Sequence, residues 1–288
     1  MELLNPIIQG VLIGGLYALF ASGLSLIFGI MRLVNIAHGD LIVAAAYLTW
    51  TIAHMTGLHP LLCLVIAVPI AAAFGYAIQR GILNHTLGKG ILPPLLVTFG
   101  ISVIIQNGLL QSFSADSRKL DAGWLEISNF ELLPGVAIGL FPLLIFLTAV
   151  GVIWALQYIF YNTRLGRAFR ATSDDPEIAQ LMGLDNRKVY AKAMALCFAV
   201  VAVAGVFFAI RANFDPFMGP SRLIFGFEAV IIGGLGNLWG TLAGGIILGV
   251  AQAIGAQLDP GWQVLAGHIA FIIVLAFRPR GLFPRTFS

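Results

Sequence analysis

Apolar residues in this chain come in long runs, and the polar residues between them cluster instead of alternating. The first run, residues 7–30, is long enough to cross a bilayer, which takes about 20 apolar residues as a helix. Further runs at 61–76, 91–110, 136–160, 193–209 and 264–277 predict more spans, each bounded by charged residues, prolines or glycines. Two stretches break the pattern. MRLVNIAHGD, residues 31–40, precedes an apolar stretch at 41–53 that is too short to span alone at about 1.5 Å per residue. Either its helix starts earlier and buries Asn35, His38 and Asp40, or it is a half-helix with an irregular entry. Residues 223–256 carry glycines at 233, 234, 236, 240, 244, 245 and 249, with Glu228 in an apolar run. Glycine is a poor helix former, so this stretch predicts a short helix, a turn at 233–240 and a second span.

Both interruptions place polar groups near or inside the membrane, where they are costly and mark function. Broken helices in transporters border the solute path, because freed backbone groups need a polar or protein-lined neighbour. Asn35, His38, Asp40, Glu228, Gly233, Gly234 and Gly236 are therefore candidates for the path or its gate. The blander alternatives are an interfacial cap at residues 35–40 and a Glu228 paired with Arg222 or Arg211. Ser102 and Gln106 share a helix face at i,i+4, fitting a polar path or, more commonly, hydrogen bonds between helices. Small residues spaced through 10–29 favour close helix packing.

Nine segments emerge, with about eight full transmembrane helices and the rest broken or re-entrant. The fold class is an all-α integral membrane protein, a single domain over residues 1–288. Two polar loops stand out. Residues 111–135 mix Asp116, Asp121, Glu126 and Glu131 with Arg118 and Lys119. Residues 163–192 gather Arg164, Arg167, Arg170, Arg187, Lys188 and Lys192 among four acids. Within the second loop, residues 174–183 predict a short helix. Asp174 or Asp175 can cap it, Pro176 suits its first turn and Gly183 ends it. Such a helix at the membrane surface is a docking element for a soluble partner.

Composition agrees with the pattern. With 59% hydrophobic and 10% charged residues and a mean hydropathy of +0.94, the chain cannot be a water-soluble domain. The net charge of +3 then reflects one-sided loops and implies no nucleic-acid partner. Placing the N-terminus outside puts Arg32, Arg80, Lys89, the six basic residues of the charged loop, Arg278, Arg280 and Arg285 in the cytoplasm. Only Arg118, Lys119, Arg211 and Arg222 stay outside, so the C-terminus is cytoplasmic. No Lys or Arg precedes Arg32, so the first run reads as a retained span and not a cleaved signal. Cys63 and Cys197 lie far apart in apolar runs and imply no disulfide framework. The chain has no phosphate-binding loop, metal-ligand cluster or nucleophile elbow. It is therefore expected to be neither an enzyme nor its own nucleotide-driven motor, with no catalytic residues and no metal.

Three motifs carry a resemblance. IFGIMRLVNIAHGD comes near the start, LGRAFRATSDDPEIAQLMGLD in the middle and IIGGLGNLWGTLAGGIILG near the end. In that order they resemble the branched-chain amino acid ABC transporter permease family, across essentially the whole chain. Glu177-Ile178-Ala179 followed by Gly183 is similar to the EAA-x3-G signature of ABC importer permeases, with Ile178 where alanine is usual. At the first motif the family more often has Phe than Ile36, and often Glu for Asp40.

The resemblance implies an inner-membrane permease subunit importing branched-chain amino acids or a related small polar solute by ATP-driven alternating access. Its implied partners are a second homologous permease, two cytoplasmic ATPase subunits, a periplasmic or extracytoplasmic solute-binding protein and membrane lipid. ATP-Mg would sit on the ATPases, with no cofactor on this chain. The helix at 177–183 becomes a coupling helix, with Arg170, Asp174, Asp175, Glu177, Ala179 and Gly183 as candidate ATPase-coupling residues. Branched-chain amino acids, amides, urea and aromatic acids all remain open as solutes. A stand-alone, ion-gradient-driven transporter or channel would equally explain the broken helices and buried carboxylate, but explains the charged cytoplasmic helix poorly. A structural subunit with no path would leave Glu228 and the residues at 35–40 idle.

Overall fold

A computed structural model describes residues 4–133 and 136–283. Twelve α-helices are described: α1 Leu4–Met31, α2 His38–Thr56, α3 Leu64–Gly81, α4 Leu92–Phe113, the single turn α5 Trp124–Ile127, α6 Leu140–Asn162, α7 Arg164–Asp174, α8 Pro176–Leu181, α9 Asn186–Arg211, α10 Gly219–Gly233, α11 Leu238–Leu258 and α12 Gln263–Phe277. Two strands, β1 Asn129–Leu133 and β2 Val136–Gly139, pair antiparallel ahead of α6.

Seven helical segments are long and apolar enough to cross a membrane. The 19-residue α2 and 15-residue α10 complete the nine segments read from hydropathy. At about 1.5 Å per residue α10 reaches roughly 22 Å, less than a hydrocarbon core of about 30 Å.

The bundle is layered by burial. In α1, 83% of the most apolar window is buried, whereas in α12 the figure is 6%, so α1 lies at the centre and α12 at the rim. α9 is central too, and α4 peripheral. The most extensive packing joins α1 to α11. There Gly10 and Gly14 lie against Gly245 and Gly249, and a Cβ on any of the four would enter the opposing backbone. Small residues let two helices touch this closely where lipid supplies no hydrophobic drive for association. The glycine spacing in the first span thus has a packing use.

The loops of one face are tied together. Ser173 of α7 donates to the Gly29 carbonyl at 2.7 Å, Asn84 donates to the Arg187 carbonyl at 3.2 Å, and Leu282 N donates to the Ile232 carbonyl at 2.9 Å. The opposite face holds the β-hairpin, with Gln9 donating to the Ala137 carbonyl at 2.7 Å, and the bridge between Arg118 and Phe214. Arg118, Lys119 and Arg211 gather there, away from the basic loops. Arg285 lies outside the described residues.

Several boundaries differ from the sequence reading. α4 runs to Phe113, which shortens the loop read as 111–135. The fifth span starts at Leu140, because residues 136–139 are drawn into the hairpin and Leu140 N bonds the Ser128 carbonyl at 2.9 Å. The charged loop holds two helices where one was expected, and α9 already begins at Asn186. α7 escapes a hydropathy scan because it is amphipathic and mostly polar: Thr163 caps it by accepting from Gly166 N at 3.1 Å, and Phe169 is its buried anchor.

Candidate functional site

The second helix begins inside the bundle. His38, its first residue, bonds through Nε2 to the carbonyl of Phe20, in the middle of α1, at 2.8 Å. A carbonyl only accepts, so the proton is on Nε2. Nδ1 is buried without a partner. Asn35 shapes the entry, taking Ala37 N on its side-chain oxygen at 3.1 Å and His38 N on its carbonyl at 3.2 Å. Residues 32–37 therefore return into the bundle and α2 starts at the depth of mid-α1. The helix begins earlier than the apolar stretch and buries Asn35, His38 and Asp40, while its entry is irregular, so both sequence alternatives contribute.

Asp40 is the centre of a closed knot. Ser102 of α4 donates to one carboxylate oxygen at 2.5 Å and Gln106 donates to the other at 2.9 Å. One turn earlier on α4, the Thr98 hydroxyl accepts from Ile36 N at 3.3 Å. Thr98, Ser102 and Gln106, spaced by four, form one stripe whose use is hydrogen bonding between helices. Behind Asp40 lies the first turn of α10. Gly39 and Gly219 meet so closely that a Cβ on Gly39 would overlap the Gly219 carbonyl, and one on Gly219 would overlap the Asp40 carboxylate. Two helix N-termini thus converge on one carboxylate, an arrangement in which the helix dipoles favour the negative charge.

Glu228 occupies a second polar cluster farther along α10. Its partner is neither Arg222 nor Arg211: His268 of α12 bonds its Oε1 through Nδ1. Arg222 instead stacks on the rings of Phe208 and Phe225, 4.8 and 5.7 Å from their centroids, and so lies on the first turn of a bundle helix, not in an outer loop. The phenyl ring of Phe225 stacks on His268 on one side and tilts against Tyr17 on the other. Tyr17 donates to Gln252 of α11 at 2.5 Å. Bonding capacity is left over: Glu228 Oε2 and Gln252 Nε2 are buried without partners, and the side chain of His268 is 37% exposed on the rim helix.

The glycine break is a tight turn. α10 ends at Gly233, Gly234 has φ +107°, and Asn237 caps α11 by accepting from Gly240 N at 2.9 Å. Gly240 therefore sits inside α11, and the turn is shorter than 233–240. Main-chain bonds from Leu282 and Phe283 to the carbonyls of Ile232 and Gly233, at 2.9 and 3.1 Å, close the end of α10. Gly236 lines a cavity of about 190 Å³ with Ser25, Gly29, Gln157 and Phe160. The glycines at 233, 234 and 236 do not join the clusters around Asp40 or Glu228.

α8 stands on the face shared by the basic loops. Asp175 is its cap, accepting from Glu177 N and Ile178 N at 2.9 Å each, while Asp174 ends α7. Gly183, at φ +89°, lets the chain reverse so that Leu184 N bonds the Ala179 carbonyl at 3.0 Å. Ala179 is buried against the body. Arg170 does not face outward; it bonds the Phe160 carbonyl and stacks on Tyr161, fixing α7 to the end of α6. Beside the exposed Glu177 and Gln180, three large apolar side chains stand out at α8 and its C-cap: Ile178 is 59%, Leu181 86% and Met182 81% exposed.

Sequence reasoning missed these three apolar residues, and it missed Tyr17, Gln252 and His268. The second group had a signal, since each is a lone polar side chain in an apolar span. No pairing could be read, because Glu228 and His268 lie on different helices. No group of three or more metal-ligating side chains occurs among the described residues.

Comparison with known proteins is consistent across the chain. A family model for the branched-chain amino acid transport system / permease component matches residues 7–276. The chain is 31% identical to the high-affinity branched-chain amino acid transport system permease protein BraD of Pseudomonas aeruginosa, over 98% of this chain and 96% of that protein. It is 29% identical to the permease protein LivH of Escherichia coli K12, over 98% and 96%. A solved structure, PsaBC from Streptococcus pneumoniae in complex with Fab, aligns with a TM-score of 0.50 at 13% identity, covering 95% of this chain and 92% of that one. That likeness concerns the fold alone.

Proposed function

This chain belongs to the family of permease components of branched-chain amino acid transport systems, and we propose that α8 couples it to an ATPase which drives import. It is a multi-pass membrane permease subunit of the ABC transporter class. The observation that carries the coupling proposal is the set of exposed apolar side chains at α8 and its C-cap, on the face where the basic loops gather. Burying a large apolar side chain is worth about 1.5–3 kcal/mol, so Ile178, Leu181 and Met182 left exposed stand as an unfilled interface.

The helix is mounted to transmit force. Asn186 of α9 donates to the Pro176 carbonyl at 2.6 Å, and Asp175 joins α8 directly to α7. α7 is bonded in turn to α1 through Ser173 and to α6 through Arg170. A partner that closes on ATP binding would push α7, α8 and the ends of α1, α6 and α9 as one body, which is how packed elements carry a switch. The basic face is then cytoplasmic and the hairpin face periplasmic, in a bacterial inner membrane, with ATP-Mg held by two ATPase subunits. A second permease would cover a rim that includes His268, and a solute-binding protein would meet the hairpin face. The solute is a branched-chain amino acid or a small polar relative, passing between states that open alternately to the two sides.

Purification in mild detergent tests the interface. The tagged wild-type chain should retain an ATPase subunit and a second permease in stoichiometric amounts. Leu181→Asp together with Met182→Asp should release the ATPase and leave the second permease bound. Equal ATPase retention by wild type and variant would remove α8 from the interface.

A further inference from the structure

The seam between α3 and α9, on the same face as α8, carries a feature that coupling does not use. Where the two spans end, Arg80, Asn84, His85, Asp185, Arg187 and Lys188 line a cavity of about 270 Å³. Arg80 and Arg187 have no carboxylate partner among the described residues; Arg80 donates only to the Tyr76 hydroxyl, at 3.0 Å. The one acid in the cavity, Asp185, is already engaged, 3.1 Å from Lys188 and capping α9. Asn84 is pinned to the Arg187 carbonyl, so the cavity is held between the turn after α3 and the start of α9.

Arg80 also ends a stripe. Ile66, Ile70, Ala73, Ala77 and Arg80 are exposed at helical spacing along α3, with Phe74 exposed beside them. Among these, only Arg80 is charged. An apolar strip long enough for an acyl chain therefore runs to a basic cavity, placed where the hydrocarbon would give way to headgroups. Basic pockets between helices at that level recognise anionic headgroups.

We propose that this cavity is a binding site for the phosphate headgroup of an anionic phospholipid, with its acyl chains along the exposed face of α3. A lipid held there would bridge α3 and α9 beside the corner from which α8 hangs, since Asn186 and Pro176 bond across that corner.

Native mass spectrometry of the full chain in detergent tests this, using phosphatidylglycerol and phosphatidylcholine with identical acyl chains. The wild type should retain phosphatidylglycerol about tenfold over phosphatidylcholine. Arg80→Gln with Arg187→Gln should bring the two to parity, Arg80→Lys with Arg187→Lys should keep most of the preference, and Lys89→Gln, outside the cavity, should not change it. Equal retention of both lipids by the wild type overturns the proposal. So does a preference that survives the double glutamine variant. Displacement of phosphatidylglycerol by millimolar inorganic phosphate would assign the cavity to free phosphate and overturn the lipid source. If the glutamine variant does not assemble, the wild-type lipid comparison decides alone.

Discussion

The two polar clusters inside the bundle differ in one respect that separates architecture from action. Around Asp40 both carboxylate oxygens have donors, both donors come from one α4 stripe, and α10 is pressed against the back. Around Glu228 one carboxylate oxygen and one amide nitrogen are buried without partners, and the histidine is half open to the rim. A buried polar group without a partner costs about 1–3 kcal/mol, a cost retained where the group has a use in another state. The closed knot holds α2, α4 and α10 in register. The open cluster, and with it the unpartnered Nδ1 of His38 beside the knot, is the better candidate for the solute path, or for contact with the second permease.

Substitutions should separate the two, and the largest effect belongs to the knot's tightest point. Gly39→Val puts a branched side chain into the Gly219 carbonyl, where neither backbone can yield. The chain should fail to yield monodisperse protein, as read by size exclusion after membrane extraction. Asp40→Ala follows: it strands Ser102 and Gln106 and should cost about 3 kcal/mol, seen as a lowered Tm in detergent together with lost uptake. Glu228→Gln reverses the pattern. It keeps the shape of the side chain and should change stability by less than about 1 kcal/mol, while uptake in assembled transporter falls about tenfold. Unchanged uptake with normal assembly would strike Glu228 from the path. Thr98→Ala is the mildest, removing the long bond from Ile36 N and a bond within α4 to the Leu95 carbonyl for about 1 kcal/mol, with uptake close to wild type.

Hydropathy made the nine segments legible, because a span must be apolar over its whole length and a chain cannot hide that. It also made the two exceptions legible, since residues 31–40 and 233–236 break the rule visibly. What it could not show was pairing. Ser102 and Gln106 were recognisable as one face, but their acceptor, Asp40, lies more than sixty residues away on another helix. His268 was invisible as the partner of Glu228 for the same reason, and the nearer arginines drew the assignment instead. α7 was missed because charge on an amphipathic surface helix looks like loop in a chain otherwise judged by apolar runs. The charges of residues 163–192 were easy to see and the exposed apolar side chains at 178, 181 and 182 were not. In a membrane protein Ile178, Leu181 and Met182 attract no notice until the structure leaves them exposed around the end of a short surface helix.

If α8 carries the energy of ATP hydrolysis into the permease, a change to its exposed charge should separate hydrolysis from uptake. Uptake and ATP hydrolysis are measured on one sample of reconstituted transporter, wild type against Glu177→Lys, which reverses the exposed charge at the start of α8. The variant should insert and assemble with its second permease while uptake per ATP hydrolysed falls about tenfold or more. Full-rate uptake at the wild-type ratio would contradict it.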